Sequence, residues 1–438
     1  MATIDANPAS GTRDLLPDDV VRRERAFEAI RATFAAHGFA PLETPAFERL
    51  EVLTGKYGEE GDQLIFKILR RGDHEASGDA DLALRYDLTV PLARAAARYG
   101  SQLPTPFKRY QIAPVWRADR PGKGRYREFY QCDVDTIGSD SLTADAATLV
   151  AVSDALTALG LGGFRVQLNS RKALRGLVEA YGIDEAREAD ALVALDKLDK
   201  IGLDGVAAEL TERGIPGAAI DDLGADLGAD DPAAAVRDRL ARSQTGLAGL
   251  AEVDRVLDLV GDAAPVSYAP VLARGLSYYT GPVFEVVHDG LDATIAAGGR
   301  YDGLIGMFQA NDVPATGGSL GLERILLLLE AAEAGAAGRA GPDVLVTVMD
   351  EDGAADALAV AARVRASGLT AEPYTGGGRL KLAKQLKYAD RRGFRVALIR
   401  GAEERAAATV TCKALASGEQ RTVPLADLEA VVTDLLHG

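Results

Sequence analysis

Cysteine is nearly absent: Cys132 and Cys412 are the only two, and they lie far apart. Two such residues build neither a disulfide framework nor the paired thiolates of a zinc site, and they fit a reducing compartment, the cytoplasm. Histidine is scarce too. His37, His74, His288 and His437 are scattered, and no HExxH, GxxxxGK[ST] or GxGxxG pattern occurs, so zinc-hydrolase, P-loop and Rossmann readings lose their motifs and no structural metal is expected. Long apolar runs are missing: the most apolar one, Ile325 to Leu329, is closed by Glu330, and MATIDANPASGTRD has no basic start followed by an apolar stretch. Neither a membrane span nor a secretory signal is expected. The chain also lacks an excess of cations. Its net charge of −16 argues against nonspecific coating of nucleic acid or anionic membrane, while leaving room for a local basic site.

What remains is an ordinary globular composition, 47% hydrophobic and 26% charged over 438 residues, enough for roughly three domains or one large domain with additions. The small-residue stretch 331–342, which ends at Pro342 ahead of a strand-like VLVTV, reads as a linker. After it come strand Val344 to Val348, helix Ala354 to Ala366, strand Thr370 to Tyr374, helix Leu380 to Arg391, strands Arg395 to Ile399 and Thr409 to Lys413, and a last helix: an α/β domain over 343–438. Upstream, Phe27, Ile30 and Phe34 recur at helical spacing in Val20 to Ala36. Residues 171–260 change to helical periodicity with many glycine breaks, so we expect a helical insertion between strand-rich blocks 1–170 and 261–330.

Three segments could carry chemistry. From Pro106 to Gln131, seven cations (Lys108, Arg109, Arg117, Arg120, Lys123, Arg125, Arg127) face Asp119 and Glu128, a net of +5 in an acidic protein. Pro121 to Gly124 reads as the turn of a hairpin whose second arm places Arg125, Arg127, Phe129, Gln131 and Asp135 on one face, opposite Tyr126, Tyr130, Cys132 and Val134. Such a face can bind phosphate, stack a base and hold an amine; a solvated edge guarded by charge is the alternative. In ARGLSYYTG, Arg274 sits between apolar Leu272 and Leu276 and needs an anionic partner, beside Tyr278 and Tyr279. Gly298 and Gly299 allow close backbone approach or a bulge, and taken alone read as a turn. Finally GGSLGLERI runs a glycine-rich strand end into a helix bearing Glu323 and Arg324, and RYDLT offers Asp87 and Thr89.

Taken in order, these segments resemble a class II aminoacyl-tRNA synthetase, and closely the histidyl-tRNA synthetase family. The resemblance covers nearly the whole chain. GTRDLLPDD (Gly11 to Asp19), ETPAFE around Pro45, RADRPGKGRYREFYQCDVDTIG and GLERI are similar to the family's leading segment and motifs 1, 2 and 3, while RGLSYYTG and GGRYDG are similar to its two histidine-specific motifs. LDKLDKIG and LAKQLKYADRRG extend it. The resemblance implies an α+β fold: a class II catalytic core on a mainly antiparallel sheet, a helical insertion, and a C-terminal α/β anticodon-binding domain. It implies ATP-dependent attachment of L-histidine to histidine tRNA through a histidyl-adenylate, by a homodimer.

By the same resemblance Arg117 contacts the α-phosphate and the histidine carboxylate, and Arg274 supplies charge where related enzymes use a metal. Phe129 stacks the adenine, Arg324 holds the terminal phosphate, Asp119 and Arg125 complete the ATP site, and magnesium accompanies the nucleotide. Asp135 and Tyr279 read the imidazole, Asp87, Thr89 and Gln131 hold the α-amino group, and Tyr278 lines the pocket. Asp87 and Asp135 stand where many bacterial members have Glu. Two further departures are Ser277, where many members have Asp, and Gly122, where many bacterial members have Gln. Gly122 and Lys123 sit in the loop that approaches the tRNA acceptor end, so altered reading of the extra 5′ guanosine of histidine tRNA is expected. From Ala371 to Arg405 nine cations against four carboxylates give another local +5, with Lys381, Lys384 and Lys387 on one helix side for tRNA. The rival reading is the noncatalytic paralogue that binds histidine and regulates histidine biosynthesis; it lacks the terminal domain and usually the histidine-specific signature, both retained here.

Overall fold

A computed structural model describes residues 4–55, 58–70, 72, 77–273, 278–333, 341–377 and 380–437. Arg274 to Ser277 therefore lie outside the described residues. The chain divides into two compact units, Met1–Ala334 and Gly335–Gly438.

In the first unit the strands are β1 (Ala40–Pro41), β2 (Phe47–Arg49), β3 (Lys67–Leu69), β4 (Ala80–Leu84), β5 (Phe107–Trp116), β6 (Glu128–Ile137), β7 (Phe164–Ser170), β8 (Val266–Tyr268), β9 (Pro282–His288), β10 (Leu291–Arg300) and β11 (Ala315–Gly321). Eight form one sheet in the order β1-β5-β6-β11-β10-β9-β7-β8, and β2, β4 and β3 form a small one. Only the outermost pairings of the large sheet, β1 with β5 and β7 with β8, are parallel. The mainly antiparallel sheet is as the sequence suggested.

One face of this sheet is covered by helices. Ala26, Phe27, Ile30 and Phe34 are the buried stripe of helix Pro17–Ala36, which starts three residues before Val20 because Pro17 needs no amide hydrogen in the first turn and Asp19 accepts from the Leu16 amide. Its large side chains pack with Leu149, Val152 and Leu156 of helix Leu142–Ala158 and with Ile325 of helix Leu322–Glu333, each worth about 1.5–3 kcal/mol of burial. Between β7 and β8 the chain makes six α-helices, Arg171–Ala180, Glu188–Leu195, Leu198–Glu212, Gly217–Leu227, Pro232–Leu240 and Gln244–Val260, around a second apolar cluster that includes Leu174, Leu192, Leu210 and Leu240. The first and last of these helices touch backbone to backbone: a Cβ on Gly249 would lie 2.1 Å from the Ala173 nitrogen.

The second unit carries β12 (Val344–Val346), β13 (Ala371–Pro373), β14 (Val396–Ile399), β15 (Thr409–Ala414) and β16 (Gln420–Pro424) in the order β13-β12-β14-β15-β16. Its first three strands are parallel and the rest antiparallel. Helix Ala354–Ala366 lies where its periodicity put it. The helix expected from Leu380 begins at Leu382, because Lys381 is its extended cap residue. Helix Ala402–Ala406 and β16 were not expected; β16 alternates exposed and half-buried residues and buries no apolar side chain deeply enough to announce itself.

Candidate active site

The face of the large sheet opposite those helices carries the polar residues. β6 sits between β5 and β11, with Arg109 opposite Asp135 on one side and Gly317, Ser319 and Gly321 opposite Asp135, Asp133 and Gln131 on the other. Side chains two apart on a strand share a face, so Phe129, Gln131, Asp133 and Asp135 form one row. Gly317 makes room for the last of them: a Cβ there would lie 1.9 Å from Asp135 Oδ1. Gly298 and Gly299 are not in a turn. They lie within β10, where Gly298 allows close approach, since a Cβ there would lie 2.1 Å from the Gly317 carbonyl oxygen.

A cavity of about 450 Å³ opens over this row. Of the residues singled out in the sequence, Asp87, Thr89, Arg117, Asp119, Arg125, Phe129, Gln131, Asp135, Tyr278, Tyr279 and Arg324 all line it, although they come from opposite ends of the first unit. Gly122 and Lys123 do not. They stand at the tip of the hairpin, where Gly122 and Arg125 exchange backbone hydrogen bonds of 3.0 Å. Lys381, Lys384 and Lys387 are exposed in the second unit, where buried Gln385 pins their helix through both Val348 backbone groups.

The cavity floor is a buried charge system. Arg109 is 0% exposed and pairs with Asp135 at 2.9 Å, and the Tyr301 hydroxyl donates to the same carboxylate. Burial raises the Asp135 pKa, with Arg109 and Tyr301 pulling it back. Burial likewise pushes Asp133 up to about 7, against the attraction of Arg109 and with the repulsion of Asp135. Removing one member of such a pair costs about 3–5 kcal/mol. Tyr301 is steadied by its neighbour Arg300, which donates to the carbonyls of Ser139 and Ser141 and to Asp145. The rings of Tyr278 and Tyr279 lie 5.0 Å apart, and Tyr278 meets Tyr301 edge-on.

At the hairpin, Arg117 donates to the Tyr86 carbonyl and lies 4.3 Å from the Tyr86 ring and 5.2 Å from Phe129. Arg125 pairs with Asp119 at 2.9 Å. Arg324 donates to the Thr294 carbonyl, while Glu323 pairs with Arg13. Arg13 also stacks on Tyr126 at 4.1 Å, so the GTRD segment ties the hairpin to the helix of the GLERI segment. Three cations of the +5 stretch serve the protein itself. Lys108 donates to the His37 carbonyl, Arg109 is buried, and Arg127 donates to the carbonyls of Asp119 and Ser10 instead of facing the cavity. Tyr126 does line it, contrary to the alternation read from sequence, because β6 begins only at Glu128. Residues missed from sequence are Asp133, Tyr301 and Ser319. The first obeys the same period of two that singled out Gln131 and Asp135.

Comparison with known proteins gives the family. The family model for histidyl-tRNA synthetase matches residues 11–325, and that for the anticodon binding domain matches residues 343–435. The histidine–tRNA ligase of Gloeobacter violaceus is 40% identical over 98% of both chains, and that of Cytophaga hutchinsonii 41% identical over 94% of this chain and 95% of its own. The crystal structure of histidyl-tRNA synthetase from Nostoc sp. PCC 7120 superposes with a TM-score of 0.82 at 31% identity, covering 99% of this chain and all of that one. Near-full-length similarity to ligases at about 40% identity weighs against the regulatory paralogue. The chain belongs to the histidyl-tRNA synthetase family and, with it, to the class II aminoacyl-tRNA synthetases that join histidine to tRNA at the expense of ATP.

Proposed function

We propose that the cavity over β6, β10 and β11 is where histidine and ATP react, before the histidyl group passes to tRNA. The observation that carries this is the convergence there of a buried carboxylate pair, a tyrosine pair and three arginines from segments far apart in sequence. The histidine carboxylate forms a bond to the α-phosphorus as the bond to the pyrophosphate oxygen breaks. Two anions meet in that step, and fixed cations lower its barrier. Arg117, held by Tyr86 and Phe129, serves both anions. Phe129 stacks the adenine, while Arg324, with Arg125 and Asp119, holds the phosphates and ribose side of ATP. Arg274 is assigned its charge-supplying part on the family resemblance alone. Magnesium comes in as part of the ATP complex, on phosphate oxygens.

Asp135 accepts from one imidazole nitrogen and Tyr279 meets the other, a pairing that rejects isosteres leaving those groups unmatched. Asp87, Thr89 and Gln131 take the ammonium group, and Tyr278 closes the pocket. The transfer step needs proximity to the terminal ribose more than a dedicated base. Gly122 and Lys123 approach the acceptor end, and Lys381, Lys384 and Lys387 the anticodon arm. We read residues 1–170 and 261–330 as the catalytic core, 171–260 as an insertion domain, 331–342 as a linker and 343–438 as the anticodon-binding domain, in a cytoplasmic homodimer whose contact uses the ETPAFE region. Among the described residues no helix is long and apolar enough to cross a membrane.

Histidine-dependent exchange of labelled pyrophosphate into ATP without tRNA is the direct test. Exchange abolished by Arg117→Ala is expected; histidine binding without any exchange would return the regulatory reading. Charging transcripts with and without the extra 5′ guanosine tests Gly122, with a weakened dependence expected and a large ordinary one refuting it.

A further inference from the structure

The row of cavity-facing residues on β6 contains one carboxylate that the assignments above leave without work. Asp133 is 2% exposed and lines the cavity between Gln131 and Asp135. Its surroundings do not neutralise it. The one fully buried cation of the floor, Arg109, contacts Asp135 at 2.9 Å. Ser319 stands opposite Asp133 on β11 and favours its charged form, and the Ser319 hydroxyl accepts from the Gln131 amide at 3.1 Å, yet Asp133 Oδ1 has no hydrogen-bond partner among the described residues, and neither has Gln131 Oε1. A buried polar atom without a partner costs about 1–3 kcal/mol, more when charged, and such sites are held open for a ligand or for water.

Two neighbouring acceptors, one of them anionic, call for a cationic group with several N–H donors. Of the groups on histidine only the α-ammonium fits that description, since the imidazole presents one donor per nitrogen. We propose that Asp133 is a specificity residue that receives the α-ammonium of the histidine substrate, jointly with Gln131 and in line with Asp87. This rests on the cavity being the histidine site, and deepens that reading by giving the ammonium a second carboxylate beside Asp87.

A protonation consequence follows. The charged and titratable groups around Asp133 are Arg109 and Arg85 from the β5 side, Asp135 and Cys132 on its own strand, Asp87 ahead of the next helix, and Tyr278. Burial pushes Asp133 up to about 7, so a share of molecules carry the neutral acid at neutral pH. An arriving ammonium stabilises the carboxylate, and the acid proton leaves to buffer while the ammonium keeps its own. Binding then releases protons near pH 7, and affinity falls as pH drops below 7.

The test is histidine titration of the intact protein by calorimetry in buffers of different ionisation enthalpy, which reads proton release without any variant. Release near pH 7 that vanishes in Asp133→Asn, with a histidine KM raised about tenfold to a hundredfold and an ATP KM unchanged, is expected. Imidazolepropionate, which lacks the amine, should inhibit both proteins equally, whereas histidinol, which keeps it, should lose affinity in the variant. Equal loss for both inhibitors, or an unchanged histidine KM in a variant of unchanged melting temperature, overturns the assignment. Should the variant fail to fold, the absence of proton release in the unmodified protein overturns it instead. If histidine supports no exchange even in the unmodified protein, the histidine-site reading itself is what fails.

Discussion

Gly317→Ala should disable histidine selection although glycine touches no substrate. The new Cβ would stand 1.9 Å from Asp135 Oδ1, 2.6 Å from its Cγ and 2.8 Å from the Val134 carbonyl oxygen. Backbone cannot yield cheaply inside an antiparallel ladder, so the carboxylate must retreat by on the order of 1 Å, a displacement large enough to cost about a hundredfold in a positioned site. Its retreat disturbs the 2.9 Å contact with Arg109 and the Tyr301 hydrogen bond, and a buried pair broken outright costs about 3–5 kcal/mol. We therefore expect kcat/KM for histidine in pyrophosphate exchange to fall by about a hundredfold to a thousandfold, with the KM for ATP changed little, because Phe129 and Arg324 are not displaced. A double-mutant cycle isolates the cause: in an Asp135→Ala background the same glycine substitution should cost much less. A histidine KM within twofold of the parent, or an equal loss in both backgrounds, would refute the argument.

Tyr301→Phe removes a donor from Asp135, whose carboxyl burial already raises; its pKa should rise further, moving the acid limb of kcat/KM for histidine to higher pH, and an unmoved profile would count against that role. Arg13→Ala should loosen the hairpin by freeing Glu323 and Tyr126 and raise the ATP KM several-fold, about 1 kcal/mol, more than the histidine KM in the same exchange assay. Neutralising exposed Lys384 and Lys387 should weaken tRNA binding and lower the salt dependence of charging by about one unit of slope per cation, with exchange in the absence of tRNA unaffected.

Much of this was legible in the chain because local pattern and tertiary demand agree. Helix Ala354–Ala366 was found to the residue, and the hairpin arms of β5 and β6 were visible around Pro121 to Gly124. The cavity-lining residues stood out as types in separate segments, but the floor did not. Arg109 counted as one more cation for an anionic ligand, and only the pairing of β5 with β6 sets it against Asp135 at 0% exposure. Asp133 was passed over within a correctly identified face, and Tyr301 was read as part of a motif without its hydroxyl's destination. Gly298 and Gly299 read as a turn because glycine pairs usually are one; here close strand approach is what requires them. Long-range pairing, which no local window contains, hid the partner of Arg109, the destination of the Tyr301 hydroxyl and the need for the two glycines, whereas Asp133 obeys a period of two that a local window does contain.

That long-range pairing bears on how the protein is made. Asp135 and Tyr301 are 166 residues apart, and β6 finds its neighbour β11 only after the six helices between β7 and β8 have been synthesised. At about 5–20 residues per second on the ribosome, the hairpin waits roughly ten to thirty seconds with one strand edge open. An open edge invites pairing with another chain. The six helices, closed around their own apolar cluster, are complete in sequence during that interval. A helical block between two strands of a sheet thus sets a vectorial order, in which the helices are complete first and the cavity over β6 closes last, when Ala315 to Gly321 leave the ribosome.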